Sequence, residues 1–478
     1  MTKTQWLASG MAMAFIAAAG SASAETLQEA MATAYRTNPA LLSERSKLRA
    51  TDELVPQALS NWRPTVSLTG NITRTNESIY PSSISPTQAV TGTDGSTVTP
   101  ATGSGALIFN ADTMGVQITE PLFRGGRTMA QTRQAEAQVE AERAQLTITE
   151  QQVLLNVATA YLNLVQAQSV LQLSINNEQV LQRQLDAVQD RFRVGEVTRT
   201  DVAQAQSRLS AAHADRTNSE GSLRTARAAY IQQVGHQPDR VDYPAALPGL
   251  PSDVTQAQSL ATAQNPAITN AQSTYQASLE GIDLVAGELL PSVSVTGTAQ
   301  RIINVDGPST LENVAQAVLN VTIPIYQSGQ EYSRLRAQKQ NAGQTRAQID
   351  QARRDVDESL AASWESLQTG RARRASYDDQ IKAAKIALEG VQRENQVGSR
   401  TVLDVLNAEQ ELLQAEVSEV QAHHDEVLAA YQLLSATGQL TAQYLALPVE
   451  LYDPAVHYEE VRDKWVGFGD RPDLVKQD

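Results

Sequence analysis

Two adjacent histidines followed by two acids are the part of this sequence that most resembles a metal site. His423 and His424 precede Asp425 and Glu426 in a stretch with helical periodicity, and imidazole and carboxylate groups bind transition metals. Neighbouring residues on a helix point about 100° apart, so they chelate one ion poorly. We therefore predict a solvated surface pair and no metal site.

Other residues that could do chemistry lack the pattern that the chemistry requires. Gly125 and Gly126 are not followed by the Lys-Ser/Thr of a phosphate-binding loop, so we interpret them as a turn. Serine, histidine and aspartate occur without a nucleophile motif. We expect no enzymatic activity and no cofactor.

The charge balance and the absence of cysteine exclude further classes. The chain has 38 Lys+Arg against 53 Asp+Glu, a net charge of -15, which argues against nucleic acid as a partner. With no cysteine there are no disulfides and no thiolate metal sites.

The N-terminus indicates export. Lys3 precedes an apolar stretch from Trp6 to Gly20, and Ala22-Ser23-Ala24 has the small residues of a cleavage site. We predict a signal peptide over 1–24 and a mature chain from Glu25. A retained anchor is the alternative, but the stretch is short of the roughly 20 residues that a spanning helix needs.

The sequence contains an internal repeat. Three motifs each occur twice, and the pairs are Asn38-Pro39-Ala40 with Asn265-Pro266-Ala267, Arg63–Gly70 with Leu290–Gly297, and Pro121–Gly126 with Pro324–Gly329. We predict a first repeat over 25–235, a Pro-rich linker over 236–251 and a second repeat over 252–446. The charged tail over 447–478 is predicted to be disordered.

Each repeat contains a predicted β-hairpin. Apolar and polar residues alternate in pairs of strands at about 64–121 and 291–324, with a Ser/Thr/Pro/Gly-rich loop from Ser78 to Gly105. Strands of about ten residues can cross a bilayer. Because four strands cannot close a barrel, several chains would have to pool them. A half-buried soluble sheet is the alternative.

Long helices follow each hairpin. Periodicity without Pro or Gly predicts a helix over 127–193, which at 1.5 Å per residue is a rod of about 100 Å. A matching helix is predicted over 330–396, with Gly343, Gly370 and Gly390 as weak points. Helices of about half that length flank them, at Thr26 to Leu59, Asp201 to Val234, Asp253 to Leu289 and Thr401 to Thr437. A barrel end followed by a hollow helical tube would use every element, and a solvated coiled coil is the alternative.

These motifs, with the run Val-Gly-Ser-Arg-Thr-Val-Leu-Asp-Val-Leu-Asn-Ala at 397–408, give a resemblance to the outer-membrane efflux protein (TolC) family. It extends from about Thr26 to Leu445. The resemblance implies a mixed α+β membrane protein of a Gram-negative bacterium. In it, a homotrimer pools twelve strands in one barrel in outer-membrane lipid and continues as a twelve-helix periplasmic tunnel.

The resemblance also implies a function and partners. The trimer would be the exit duct of a tripartite efflux pump or of a type I secretion system. Its partners would be a periplasmic adaptor (membrane fusion) protein and an inner-membrane pump of the ABC, RND or MFS type. A periplasmic bridging protein without a pore is the alternative from another class.

A gate is the one functional site that the resemblance implies. It would lie at the helix-turn-helix tips, with Asp201, Arg400 and Asp404 as its polar residues. Asn407 stands where the family has a second ring aspartate, and Asn395 where it has a tip tyrosine. We therefore expect a weaker cation-attracting ring and fewer links. Simple helix capping by the two aspartates is the alternative.

Overall fold

The computed structural model describes residues 25–79, 105–238, 240–244, 249–304 and 310–469. The described helices are α1 (Leu27–Thr37), α2 (Pro39–Asp52), α3 (Leu54–Leu59), α4 (Arg127–Arg193), α5 (Arg199–Val234), α6 (Val254–Gln264), α7 (Pro266–Ala286), α8 (Gln330–Gln396), α9 (Val402–Ala436) and α10 (Pro454–Arg462). The strands are β1 (Thr65–Ile79), β2 (Gly105–Arg124), β3 (Ser292–Ile303) and β4 (Leu311–Thr322). The predicted signal peptide and most of the predicted loop from Ser78 to Gly105 lie outside the described residues.

The two long helices are confirmed at the predicted bounds. Helices α4 and α8 each contain 67 residues. Gly370 lies inside α8 without breaking it. A Cβ at this position would lie only 3.0 Å from the Cα of Glu426 on α9. The glycine allows these two helices to pack closely. None of the helices among the described residues is long and apolar enough to cross a membrane.

The shorter helices before each strand pair are interrupted, which corrects the prediction of continuous helices over Thr26 to Leu59 and Asp253 to Leu289. The break falls at the Asn-Pro-Ala motif. The Oδ1 of Asn265 accepts a hydrogen bond from the backbone N of Ala267 at 2.9 Å, and its Nδ2 donates to the carbonyl of Ala436 at 2.9 Å. Asn38 makes the equivalent pair of contacts, to Ala40 at 3.0 Å and Gln233 at 3.2 Å. The asparagine therefore starts one helix and fastens it to the end of another.

One compact unit comprises residues 25–47, 144–269 and 351–453. One apolar core of this unit joins α6, α7, α8 and α9. Its buried residues are Ala257, Ala261, Ile268, Val356, Leu360, Leu367, Ala429, Ala430, Leu433 and Ala436. The segment predicted as a linker packs in this unit, where Tyr243 stacks on His423 with 4.0 Å between the ring centroids. The hydroxyl of Tyr444 donates to the carbonyl of Gly249 at 2.8 Å.

The second unit comprises residues 48–143, 270–350 and 454–469 of the described chain. It contains an antiparallel sheet in the order β1-β2-β3-β4. Its strands lie where the alternation of the sequence predicts them. Register is regular in all three pairings except for a bulge between Pro121 and Phe123.

A glycine turn connects β2 to α4. Gly125 has φ +65°, and a Cβ there would clash with the carbonyl oxygen of Gly287. This position therefore requires glycine both for its backbone conformation and for the close approach. The interpretation of Gly125-Gly126 as a turn is confirmed.

The C-terminal tail contains an ordered helix, so the prediction of disorder is wrong for the residues that form α10. Tyr458 packs against an apolar cluster on α3 and α4 that contains Val55 and Val139. Val461 is buried, and the Nδ1 of His457 lies 3.0 Å from an oxygen of the fully buried Asp52. The tail beyond Gly469 lies outside the described residues.

The contacts of Asn265 generate a stability prediction. Asn265→Ala removes a helix cap and a hydrogen bond to a buried carbonyl, so we expect the free energy of unfolding to fall by about 1–3 kcal/mol. Guanidinium unfolding followed by circular dichroism measures it. Thr262→Ala, which removes only an exposed bond to the carbonyl of Gln258, is the control and should stay near wild type. Equal midpoints for the two variants would contradict the role given to Asn265.

Candidate functional site

Two tight turns join the long helices to the shorter helices that follow them. At the first tip, between α4 and α5, Gly195 has φ +83° and its N donates to the carbonyl of Phe192 at 3.0 Å. At the second tip, between α8 and α9, Gly398 has φ +80° and its N donates to the carbonyl of Asn395 at 3.0 Å. Glycine ends each long helix because it adopts the left-handed conformation without strain.

The two candidate aspartates form helix caps. Asp201 accepts a hydrogen bond from the backbone N of Thr198 at 2.8 Å, and Asp404 accepts one from the backbone N of Thr401 at 2.9 Å. In return each threonine hydroxyl accepts from the aspartate N, which completes a reciprocal box. Both aspartates therefore cap their helices. A cap leaves the carboxylate charged, so a role for these residues in a gate stays a prediction.

Electrostatics keep Asp404 negative. Hydrogen bonds from the backbone and the hydroxyl of Thr401 lower the pKa of Asp404, and the positive charge of Arg400 adds to this effect. Arg400 itself pairs with Glu394, with Nε 2.9 Å from Oε2, and this contact raises the pKa of the guanidinium. The second tip therefore holds fixed charges of both signs.

Asn395 connects the two tips. It is only 7 % exposed, and its Nδ2 donates to the carbonyl of Arg400 at 2.8 Å, across the turn. Its Oδ1 accepts from Nη1 of Arg191 on α4 at 3.0 Å. Arg191 also pairs with Glu196 of the first tip at 3.2 Å. One amide thus braces its own turn and links it to the other hairpin.

Asn407 makes a second link between the hairpins. Its Oδ1 accepts from Nη2 of Arg208 on α5 at 3.0 Å. The structure thus brings Asn395, Arg400 and Asp404 together at the second tip, while Asp201 lies at the first. That the two asparagines weaken a gate stays a prediction.

Sequence reasoning missed the arginine partners of the two asparagines. Arg191 and Arg208 lie on the first hairpin, about 200 residues from the asparagines that they contact. Their only signal in the sequence is their position within a few turns of a predicted tip. Periodicity does not show which helix a long polar side chain will reach.

An apolar cluster lies behind the tips and fixes the two hairpins together. Its buried residues are Leu181, Val188, Ala212, Val402 and Leu406. They come from α4, α5 and α9, so the cluster joins both hairpins and the polar links lie next to packed apolar side chains.

The histidine pair is packed, and the prediction of a solvated surface pair is wrong. His424 is 7 % exposed, with Nε2 2.9 Å from Oδ1 of Asn163 and Nδ1 3.1 Å from Oδ1 of Asp425. His423 stacks on Tyr243, and its pKa is lowered by burial and by the charge of Arg374. Among the described residues, no group of three histidines or acids could hold a metal ion.

Comparison with known proteins matches most of the chain. The family described as "Outer membrane efflux protein" matches residues 30–236 and 257–439. The outer membrane efflux protein BepC of Brucella suis is 35% identical over 93% of this chain and 92% of its own length. The outer membrane protein TolC of Vibrio cholerae is 25% identical over 88% of this chain and 92% of its own length.

A solved structure has the same fold. The CmeC outer membrane channel of Campylobacter jejuni superposes with a TM-score of 0.74 at 15% sequence identity, covering 91% of this chain and 89% of that one. At this identity the likeness concerns the fold alone, which combines long helices with strands.

The contacts of Asn395 generate a prediction about local stability at the tips. Asn395→Ala removes the bond across the second turn and the link to Arg191. We expect backbone amides at 397–401 to exchange about tenfold faster, which corresponds to a loss of about 1.4 kcal/mol. Hydrogen exchange with mass spectrometry measures it.

The control lies one turn earlier on α8. Gln392→Ala removes only an exposed hydrogen bond to Glu409, so exchange at the tips should stay near wild type. If Asn395→Ala also leaves it unchanged, the tips do not depend on this amide.

Proposed function

This chain belongs to the outer membrane efflux protein family, and from that membership we propose that three copies of it form a passive exit duct. The protein is located in the outer membrane of a Gram-negative bacterium. In the proposal, the sheets of three copies close into one twelve-stranded barrel, and their helices continue as a periplasmic tunnel. The duct does no covalent chemistry, and a partner pump supplies the energy.

The two faces of the sheet are the observation that carries the proposal. One face is mostly apolar and largely exposed, with Asp112 and Arg301 towards the end of the sheet away from the helices. Its exposed apolar residues are Val66, Leu68, Ile72, Met114, Val116, Ile118, Leu319 and Val321. The other face is mostly polar, with Thr65, Ser67, Thr69, Asn71, Thr113, Gln117, Thr119, Thr296, Gln300 and Asn320. An exposed apolar face opposite a polar one fits strands with lipid on one side and water on the other. In a soluble bridging protein this apolar face would be exposed to water, which is unfavourable.

The edges of the sheet support pooling of strands. Within the described residues, β1 and β4 each pair on one side only. An unpaired strand edge in hydrocarbon leaves backbone groups without partners at several kcal/mol each, so a membrane sheet must close. Three copies of a four-stranded sheet supply twelve strands. The order of elements supports the proposed duplication, because helices, two strands, a long helix and a shorter helix occur in that order twice.

The long helices support a tunnel. Each of α4 and α8 has 67 residues, so each is about 100 Å long. We propose that an adaptor protein binds the tunnel and that an inner-membrane pump loads it. Among the pump classes, multidrug or small-molecule efflux is the first choice, because the relative from Brucella suis is named an efflux protein. Type I secretion uses the same duct with a different pump.

The tips are the proposed gate. The links from Arg191 to Asn395 and from Arg208 to Asn407 join the two hairpins of one chain. We propose that they hold the closed state and that Asp404 from three chains attracts cations at the tunnel mouth. Opening would then require each hairpin pair to exchange these bonds for bonds with water.

The proposal predicts a conducting trimer. The purified mature protein should have three times the mass of one chain in mild detergent and should give small, cation-selective single channels in a planar bilayer. Asn407→Ala removes a gate link and should raise the single-channel conductance. A well-folded monomer without conductance would favour the bridging alternative.

Asp404 gives a prediction with a pH sign. Its lowered pKa means that the carboxylate stays charged as pH falls to the ordinary pKa of aspartate, about 4. A trivalent cation that binds Asp404 and blocks the channel should therefore still block it at that pH. The contribution of the Asp404 cap to the free energy of unfolding is likewise fully present above the unfolded-state pKa. It is lost only as pH falls through the lower folded-state pKa.

Paired variants separate the ring from the cap. Asp404→Asn keeps a cap acceptor but removes the charge, so the block should be lost. Asp201→Asn makes the same change at the first tip and should leave the block unchanged. Loss of block in both variants would show that the aspartates of both tips bind the cation. Loss in neither variant would contradict the placement of Asp404 at the channel mouth.

A further inference from the structure

The last described residues form a short aromatic segment, Trp465-Val466-Gly467-Phe468, which follows α10. Trp465 is 67% exposed, Val466 is 87% exposed and Phe468 is fully exposed. Three large apolar side chains within four residues form a small apolar surface that water covers poorly. The segment directly follows Lys464, so a cation stands beside the aromatic residues.

Helix α10 holds the aromatic segment in place. Tyr458 and Val461 pack into the unit, and His457 contacts the buried Asp52. Arg462 lies 3.4 Å from Glu136 on α4. The exposed side chains therefore directly follow a helix that is docked on the unit.

The segment lies at the helix-proximal end of the sheet. The guanidinium of Arg63 stands 4.8 Å from the ring centroid of Trp465, and its Nη1 donates to the carbonyl of Lys464 at 2.8 Å. Arg63 comes two residues before β1, and Val66 is the first residue of the apolar face. At about 3.3 Å per residue, Arg63 is about 10 Å along the chain from Val66, so Trp465 contacts the residue that leads into that face.

Other exposed apolar residues surround the same end of the sheet. Each lies within a few residues of a strand end, either just outside the strand or near its last residue. They are Trp62, Phe123, Leu290, Ile325 and Tyr326. Aromatic residues concentrate where a membrane-spanning strand leaves the hydrocarbon, because an amphipathic ring is stable at the level of the headgroups. The aromatic segment continues this surface.

We propose that the aromatic segment inserts into the periplasmic leaflet of the outer membrane and anchors the C-terminal tail there. Its partner is phospholipid: Trp465 and Phe468 lie at the boundary of the acyl chains, and Lys464 lies among the phosphates. The inference rests on the proposed function, because it requires that the strands cross the membrane. It adds a contact with lipid outside the barrel itself.

The absence of cysteine allows a direct test with an environment-sensitive fluorophore on single cysteines. Val466→Cys places the label between the two aromatic residues, and Glu459→Cys on the exposed face of α10 is the control for water. Leu68→Cys on the apolar face of β1 reports the strands. Each labelled protein is reconstituted in phosphatidylethanolamine and phosphatidylglycerol vesicles, with or without lipids that carry a nitroxide near the head of the acyl chain.

The expected result is that nitroxide lipid quenches the label at 466 about twofold more than the label at 459, since the quencher acts only close to the hydrocarbon boundary. Adding Trp465→Ser and Phe468→Ser to the Val466→Cys protein should abolish this difference. The mass of the trimer is the control for folding. It should be unchanged in this variant, because Tyr458 and Val461 still pack α10 against the unit.

The other outcomes overturn the proposal in distinguishable ways. A water-soluble quencher is added in a parallel measurement. If it quenches the label at 466 and nitroxide lipid does not, the segment lies in water. A label shielded from both quenchers would show that a neighbouring copy covers it. If the label at Leu68 is quenched by lipid and the label at 466 is not, the tail inference fails while the barrel stands. If neither is quenched, the proposed membrane sheet fails as well.

Discussion

Unpaired backbone groups at the two edges of the four-stranded sheet constrain the rest of the molecule. Each of β1 and β4 offers a row of N–H and C=O groups that no other described strand satisfies. In water such an edge is tolerated, but next to an exposed apolar face it invites another chain. In the proposed trimer, closure with further copies would satisfy both edges at once. The turn at Gly125 joins β2 to α4 within two residues, so the proposal requires α4 to continue directly from the barrel.

The helix ends show the same requirement for satisfied backbone groups on a smaller scale. Each tip uses a glycine to end one helix and a Thr/Asp pair to begin the next. The Asn-Pro-Ala motif solves the equivalent problem where two shorter helices meet, because asparagine accepts from one helix and donates to another. Polar residues that could be mistaken for a reaction site are in these places structural, and this explains why aspartate and asparagine recur at matching positions in both halves.

The sequence predicted the parts that follow from periodicity and failed where a side chain chooses a distant partner. The two long helices and the four strands follow from spacing of three to four and of two residues, and they lie at the predicted positions. The break at Asn265, the packing of His424 and the docking of α10 depend on contacts with residues more than 150 positions away. Among the site residues, the caps at Asp201 and Asp404 could be read from Thr-x-x-Asp, whereas the arginines that contact Asn395 and Asn407 could not.

In the proposed gate, the asparagines at the tips would make the closed state easier to reverse than a set of ion pairs would. An amide accepts a hydrogen bond from arginine without a full opposite charge, so the link from Arg191 to Asn395 is weaker than a charge pair of the same geometry. Arg191 keeps a second partner in Glu196, and it therefore retains a charged contact when the link to Asn395 breaks. The link to Arg208 at Asn407 has the same neutral acceptor. Because the apolar cluster behind the tips holds the hairpins together, the proposed opening would separate these bonds while the helices that carry them stay folded.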